Sequence, residues 1–273
     1  MKTVLLPTDF SANSKNAVNW ALNFYQNEQV KFVLIHSYFS PQSGSSAVVS
    51  INEILRKQAI EDLDKYKNEL QNAFPNNKNE IVFKEVYGDV LYAIKSISEE
   101  TENTEVVVGA KGMSAMEEIF IGSNTSAIVK EADAPVFVIP ENVIYNEVKK
   151  IALAIDFQDN LNANTLHPLK DILVNKKAEL RVFYVEDEDG DIEEEQQNRV
   201  VADLESKLNQ KIDVLKINED DSLSAVQKFI HSHNIDCLVT INRKKSFFES
   251  LFHKSFSKQV ALHTDTPLLV LHD

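Results

Sequence analysis

Residues 106–125 read VVVGAKGMSAMEEIFIGSNT and contain three of the chain's six glycines: Gly109, Gly112 and Gly122. The β-branched run before Gly109 predicts a buried strand, and Gly122-Ser123 predicts the beginning of a helix. Glycine lacks the Cβ that would keep a bound phosphate away from the backbone, and it tolerates positive φ. This stretch therefore predicts a strand, a phosphate-binding loop and a helix, in that order.

The predicted helix contributes to the same site. The first N–H groups of a helix have no intrahelical acceptor and bind anions. Gly122, Ser123 and Asn124 would present these groups, and the hydroxyl of Ser123 or Thr125 would add a donor. We expect the anion to be held by backbone N–H groups, so the overall charge of the protein does not decide whether it binds.

The chain also contains an internal repeat. Residues 2–10, KTVLLPTDF, align without gaps on residues 149–157, KKIALAIDF, which places Asp9 over Asp156. Residues 106–140 align in the same way on residues 238–272. We predict two copies of one domain, and their bounds are 1–141 and 148–273.

Each copy alternates short β-rich runs with longer amphipathic stretches, which is typical of βα units on a parallel sheet. We therefore predict an α/β fold with two tandem, open, five-stranded parallel sheets of Rossmann-like type. The predicted strands cover 3–7, 31–36, 80–86, 105–109, 135–139, 150–155, 179–184, 211–217, 237–241 and 267–271. In the first copy the predicted helices cover 14–25, 52–73, 90–100 and 123–131, and residues 41–50 are predicted to form a loop.

Charge and cysteine content restrict the partners and the compartment. The chain has 273 residues, a formal net charge of −14 and a pI of about 5.0. This acidity argues against a surface for nucleic acid or for anionic lipid, because such surfaces are rich in Lys and Arg. The single cysteine, Cys237, cannot form an internal disulfide, and the N-terminal stretch is too short for a signal-peptide core. We expect a cytoplasmic protein.

The glycine spacing matches a known pattern. Gly109-x-x-Gly112, nine residues and then Gly122-Ser123 resembles the G-x-x-G-x9-G-S/T motif of the ATP-binding branch of the universal stress protein family. The stretch PTDFS at residues 7–11 resembles the first strand and turn of that family. The resemblance implies an adenine-nucleotide-binding α/β fold, with ATP as ligand with or without Mg²⁺. It also implies that the two domains pack about a pseudo-twofold axis, as the subunits of the family's dimer do.

The resemblance further implies roles for individual residues. Pro7, Thr8 and Asp9 would line the ribose and the adenine, and the backbone of Ser37, directly after the predicted second strand, would contact the adenine. The phosphates would be held by Gly109, Gly112, Gly122, Ser123 and Asn124, with the hydroxyl of Thr125 as an added donor and Lys111 within reach.

Each of these residues also has a purely structural interpretation. Asp9, Ser11 and Ser14 could cap the first helix, Gly109 could form a tight exit from its strand, and Lys111 could be a solvated loop lysine. These separate explanations do not predict the joint spacing of the three glycines. We therefore favour nucleotide binding for the set as a whole.

The second copy departs from the glycine motif. Ile241, Lys244 and Lys254 stand at the three glycine positions, and Ser255 is retained. Long side chains would block the backbone from a phosphate, so we predict one ATP-binding domain and one silent domain. The basic residues of 243–245 and 253–254 fit a solvated loop, with binding of another anion or an acidic partner as the alternative.

Three functions from different classes remain open at this stage. The first is an ATP-binding regulatory protein of the stress response that acts on an unidentified protein partner. The second is a slow ATP hydrolase, for which no catalytic residue and no metal ligand set is predicted. The third is a nucleotide-independent interaction protein. The chain would either pair its two domains internally as a monomer or form a homodimer.

Overall fold

The computed structural model describes residues 1–39, 47–110, 122–155, 157, 162–185, 193–217, 222–242 and 266–273. The described residues form two compact units, which are Met1–Ala110 with Gly122–Tyr145, and Asn146–Asp273. Lys111, Gly112 and the basic residues at 243–245 and 253–254 lie outside the described residues, as do Asp156 and Ser255.

The first unit alternates strands and helices from its beginning. Its elements are β1 (Lys2–Pro7), α1 (Ala12–Phe24), β2 (Val30–Tyr38), α2 (Ala47–Ala73), β3 (Glu80–Tyr87), α3 (Val90–Glu99), β4 (Thr104–Gly109), α4 (Ser123–Glu131) and β5 (Val136–Ile139). The strands lie in the order β3-β2-β1-β4-β5, and every neighbouring pair is parallel.

The described part of the second unit repeats this alternation of strands and helices as far as its fourth strand. Its elements are β6 (Lys150–Ala154), α5 (Ala163–Lys176), β7 (Glu179–Val185), α6 (Glu194–Leu208), β8 (Val214–Ile217), α7 (Ser222–His233), β9 (Cys237–Asn242) and β10 (Leu268–His272). Its strand order is β8-β7-β6-β9-β10, again with parallel neighbours. The predicted α/β fold with parallel sheets is therefore confirmed.

Equivalent positions of the repeat form the same backbone hydrogen bond in both units. Val106 N donates to Pro135 O at 2.8 Å, and Leu238 N donates to Pro267 O at 2.9 Å. These are the residue pairs that the ungapped alignment equates. In addition, Phe10 and Phe157, which follow β1 and β6, both have positive φ, at 62° and 52°. A bulky residue is strained in this region, so the two units share an unusual turn at this point.

Most predicted bounds differ from the structure by one or two residues, and two differ more. Helix α2 begins at Ala47, so residues 47–50 are helical and do not belong to a loop. Strand β8 begins at Val214 and not at residue 211. The reason for the later start is that Ile212 N donates to Glu205 Oε1 of α6 at 3.0 Å, which ties this part of the chain to the helix.

The interior of the first unit holds one group of buried polar residues. Lys2 Nζ donates to Glu105 Oε1 at 2.5 Å, and the hydroxyl of Tyr25 donates to Glu105 Oε2. The three residues are at most 9% exposed. Burial of two charges is tolerated because each faces a partner of opposite sign or a hydrogen-bonding group. The surrounding core is aromatic and includes Trp20, Phe24 and Phe137.

None of the helices in the described part of the chain carries an apolar stretch long enough to cross a bilayer.

Candidate functional site

The carboxyl ends of β1 and β4 form the edge on which the predicted site lies. β1 is parallel to β2 on one side and to β4 on the other, so the connections from β1 and β4 diverge there. Ligands of open α/β sheets bind in the crevice at such a point. Leu5 is paired with Val106, and continuing this register by three residues brings Thr8 level with Gly109. Neighbouring strands are about 4.8 Å apart, so the two predicted segments are adjacent.

The turn after β1 is held by short polar side chains. Asp9 Oδ1 accepts hydrogen bonds from Ser11 N at 3.0 Å and from Ser11 Oγ at 2.6 Å. Ser11 is also the N-cap of α1, because its hydroxyl oxygen accepts from Ser14 N at 3.2 Å. The Thr8 hydroxyl accepts from Phe10 N at 3.0 Å and lies 3.1 Å from the Ser14 hydroxyl. Asp9 is thus fixed at the beginning of α1 while its side chain stays exposed.

This environment determines the charge of Asp9. Partial burial of the carboxyl opposes ionisation, but hydrogen bonds from Ser11 and Ser14 outweigh that effect, so the pKa of Asp9 lies below its ordinary value. The carboxylate is therefore ionised at neutral pH and is available to accept a hydrogen bond from a ligand hydroxyl.

The beginning of α4 faces the same edge. Gly122 is the N-cap, with φ −56°, and its carbonyl accepts from Ser126 N at 2.8 Å. Ser123 and Asn124 are exposed in the first turn. The buried Thr125 donates its hydroxyl hydrogen to Gly109 O at 2.9 Å, which ties the first turn of α4 to the end of β4.

Two further residues at this edge carried no signal that sequence reasoning recognised. His36, at the end of β2, donates from Nδ1 to Thr8 O at 2.8 Å, and its ring packs on Phe10 at 4.5 Å. Asn13, in the first turn of α1, covers Gly109: an ideal Cβ built on Gly109 would lie 2.6 Å from Asn13 Nδ2 and 2.7 Å from its Oδ1. His36 could have been found in the sequence, because it is a polar residue at the end of an apolar strand. The contact of Asn13 with Gly109 has no such local signal.

The family follows from a comparison with known proteins. A sequence model described as the universal stress protein family matches residues 1–140, which is more than half of the chain. The chain belongs to the universal stress protein family. A universal stress protein of Methanocaldococcus jannaschii is 25% identical over 155 residues, which cover 50% of this chain and 94% of that relative.

Solved structures of universal stress proteins show the same fold over the whole chain. A universal stress protein from Archaeoglobus fulgidus matches with a TM-score of 0.76 at 20% identity, and the match covers 99% of this chain and 98% of that one. A Pseudomonas aeruginosa protein assigned to the same family matches with a TM-score of 0.61 at 12% identity, covering 100% of this chain and 93% of that one. At these identities the comparison concerns the fold alone.

In this universal stress protein the described site residues fall into two groups. Pro7, Thr8 and Asp9 lie at the end of β1, and Gly109, Gly122, Ser123, Asn124 and Thr125 lie at the end of β4 and the beginning of α4. The position of Ser37 was predicted wrongly: β2 continues to Tyr38, so Ser37 lies within the strand, paired with Val86, and not directly after it. Its contact with the adenine stays a prediction. Lys111 and Gly112 lie outside the described residues, so their phosphate contacts stay predictions.

Two described residues at the corresponding edge of the second unit are buried. Ile241, at the position of Gly109, is 8% exposed, and Phe157, at the position of Phe10, is 1% exposed. The Phe157 ring packs against Tyr184 at 4.7 Å, and its carbonyl accepts from Gln196 Nε2 at 3.0 Å. Phe157 is therefore less exposed to solvent than Phe10, its counterpart after β1.

We expect Ser11→Ala to lower the free energy of unfolding by about 1 kcal/mol, because the variant removes the N-cap of α1 and a donor to Asp9. Since the pKa of Asp9 is lowered in the folded state, the part of this stabilisation that comes from the Asp9 carboxylate is present above the pKa of an unfolded Asp and is lost as the pH falls through the folded pKa, whereas the N-cap bond does not titrate. Urea unfolding of the wild type and the variant at several pH values measures the difference. Ser11→Thr, which keeps a capping hydroxyl, should retain most of the stability, and a loss equal to that of Ser11→Ala would contradict the capping role.

Proposed function

We propose that this protein is an ATP-binding regulatory member of the universal stress protein family and that its first domain holds the nucleotide. The observation that carries the proposal is the convergence of two helix N-termini on Gly109. Asn13, in the first turn of α1, lies over Gly109, and Thr125, in the first turn of α4, donates to its carbonyl.

The electrostatics of these two helices favour an anion. The N-terminus of a helix carries a partial positive charge together with unpaired N–H groups. Neither first turn contains Asp or Glu; the ionised Asp9 precedes α1 and offsets part of the charge of that helix, whereas no described carboxylate does so at α4. Among the described residues, none accepts a hydrogen bond from the N–H groups of Ser123 or Asn124. These donors suit the phosphates, and the ionised Asp9 suits a ribose hydroxyl.

The backbone at Gly122 supports the same function. Its φ of −56° is open to every residue, so the helix does not require glycine there. Ser, Thr, Asn and Asp are better N-caps, because their side chains accept hydrogen bonds from the first turn. A glycine at this position leaves those N–H groups to a ligand, as phosphate binding demands.

Regulation fits the site better than hydrolysis. A general base works best with a pKa near the operating pH, and the pKa of Asp9 is shifted in the opposite direction, below its ordinary value. Asp9 would therefore bind a hydroxyl and would not activate water. In this proposal the second domain acts as the internal partner of the first and binds no nucleotide, since Ile241 occupies the position of Gly109.

The proposal predicts opposite effects of one substitution on binding and on stability. Gly122→Asp should weaken ATP binding at least about tenfold, because the new carboxylate caps the N–H groups and repels the phosphates. The same variant should unfold at equal or higher temperature, since Asp is a better N-cap than Gly. Isothermal titration with ATP and Mg²⁺ and thermal unfolding of both proteins measure the two effects.

Lys130→Gln, in the last turn of α4, lowers the charge of that helix by one unit, as Gly122→Asp does, and is the matched control. It should leave ATP affinity within about twofold, because the helix field falls off beyond one turn. ATP affinity of Gly122→Asp equal to that of the wild type would refute the location of the phosphates. If Gly122→Asp loses ATP binding and also unfolds, the loss of binding results from damage to the fold.

A further inference from the structure

The side chain of Asn13 has an arrangement that the fold alone does not explain. An ideal Cβ on Gly109 would lie 2.6 Å from Nδ2, 2.7 Å from Cγ and 2.7 Å from Oδ1 of Asn13. The near-equal distances mean that the planar carboxamide turns its face to the position that a Cβ of Gly109 would occupy. Gly109 therefore lacks a side chain partly because Asn13 occupies the place of one.

The carboxamide is buried on one side only. Asn13 Oδ1 is buried, and none of the described residues donates a hydrogen bond to it. The residue as a whole is half-buried, and its Nδ2 donates to none of the described residues. A buried acceptor without a donor costs stability, so the presence of asparagine at this position needs an explanation. An apolar residue would cover Gly109 without that cost.

We propose that Asn13 is a ligand-binding residue of the first domain and that its amide Nδ2 donates a hydrogen bond to a phosphate oxygen of the bound nucleotide. This inference rests on the proposed ATP binding and adds a donor from α1 to those of α4. Gly109 is the common point, since Asn13 covers it and Thr125 binds its carbonyl. The phosphate would then be held from the first turns of both helices.

Two variants separate ligand binding from structural support. Asn13→Ala removes the donor and should weaken ATP binding about tenfold. Asn13→Asp keeps the shape but replaces the donor by an anionic oxygen, so it should weaken ATP binding further. Adenosine has no phosphate, and its affinity should change less than about twofold in either variant. Isothermal titration of the wild type and both variants with ATP and with adenosine measures these affinities.

Asn19→Asp is the matched control, because Asn19 is exposed on the same helix and undergoes the same change of charge. It should leave ATP affinity unchanged within about twofold. Equal losses of ATP and adenosine affinity in the Asn13 variants would overturn the inference and make Asn13 a structural residue. If the wild type binds ATP and Asn13→Asp binds it equally well, the inference about Asn13 is also overturned. Failure of the wild type to bind ATP would overturn the proposed function and this inference together.

Discussion

Glu105→Ala is expected to lower the free energy of unfolding by about 3–5 kcal/mol. The variant removes the carboxylate that faces Lys2 Nζ at 2.5 Å in a position where both side chains are buried. It also takes away the acceptor of the Tyr25 hydroxyl. Removing a carboxylate that faces a buried ammonium is costly, and the total stability of a domain is only about 5–15 kcal/mol. Chemical denaturation followed by circular dichroism measures the loss.

Two comparisons identify the cause of that loss. The triple variant Lys2→Met, Tyr25→Phe, Glu105→Leu removes every polar member of the group and should recover to within about 1 kcal/mol of the wild type. Glu69→Ala breaks an ion pair of similar length, 2.6 Å from Lys15, in which Glu69 is 56% exposed, and should cost less than about 1 kcal/mol. If Glu105→Ala costs no more than Glu69→Ala, the buried group does not stabilise the first unit as described.

Gly109→Ala is expected to reduce ATP affinity at least about tenfold while lowering stability by only about 1 kcal/mol. The added Cβ would lie 2.6–2.7 Å from the carboxamide of Asn13, so that side chain must move. The stability cost is small because the contact involves the far end of a flexible side chain that is half-buried. The effect on binding is larger, since the methyl group lies at the point where both helix N-termini converge.

The double variant Asn13→Ala, Gly109→Ala tests why this position is glycine. Without the carboxamide of Asn13, the methyl group that Gly109→Ala introduces has room, so stability should return to that of Asn13→Ala. If Gly109 also brings the backbone close to a phosphate, the double variant should bind ATP more weakly than Asn13→Ala does. Equal affinities of these two proteins would mean that Gly109 serves only to accommodate Asn13. Titration and thermal unfolding of the four proteins complete the cycle.

The strands were predictable from the sequence because parallel strands buried on both faces are continuous apolar runs. β1 and β4 contain such runs at residues 4–6 and 106–108, and every residue of β1 is buried. The helix beginning at Ser123 was predictable for a different reason, since glycine followed by small polar residues is a local signal. The beginning of α2 was missed because the serine-rich stretch before it indicates a loop.

The contacts that organise the site were beyond a reading of the sequence because they join distant segments. Asn13 and Gly109 meet only because β1 and β4 are neighbours in the sheet, and Lys2 and Glu105 are 103 positions apart. Sequence spacing identified Gly109 as a special position and favoured phosphate binding over a tight exit from the strand. The packing of Asn13 gives that glycine a second physical reason.

The number of ATP molecules bound per chain tests the central claim most directly. Isothermal titration of the purified protein with ATP and Mg²⁺, after mass spectrometry of gently denatured protein to detect any nucleotide retained through purification, gives this number. The account predicts one ATP per chain, with binding weakened in Gly122→Asp and in Gly109→Ala. Two ATP molecules per chain would contradict a silent second domain. The absence of both retained nucleotide and binding heat at several temperatures would contradict nucleotide binding at the carboxyl edge of β1 and β4.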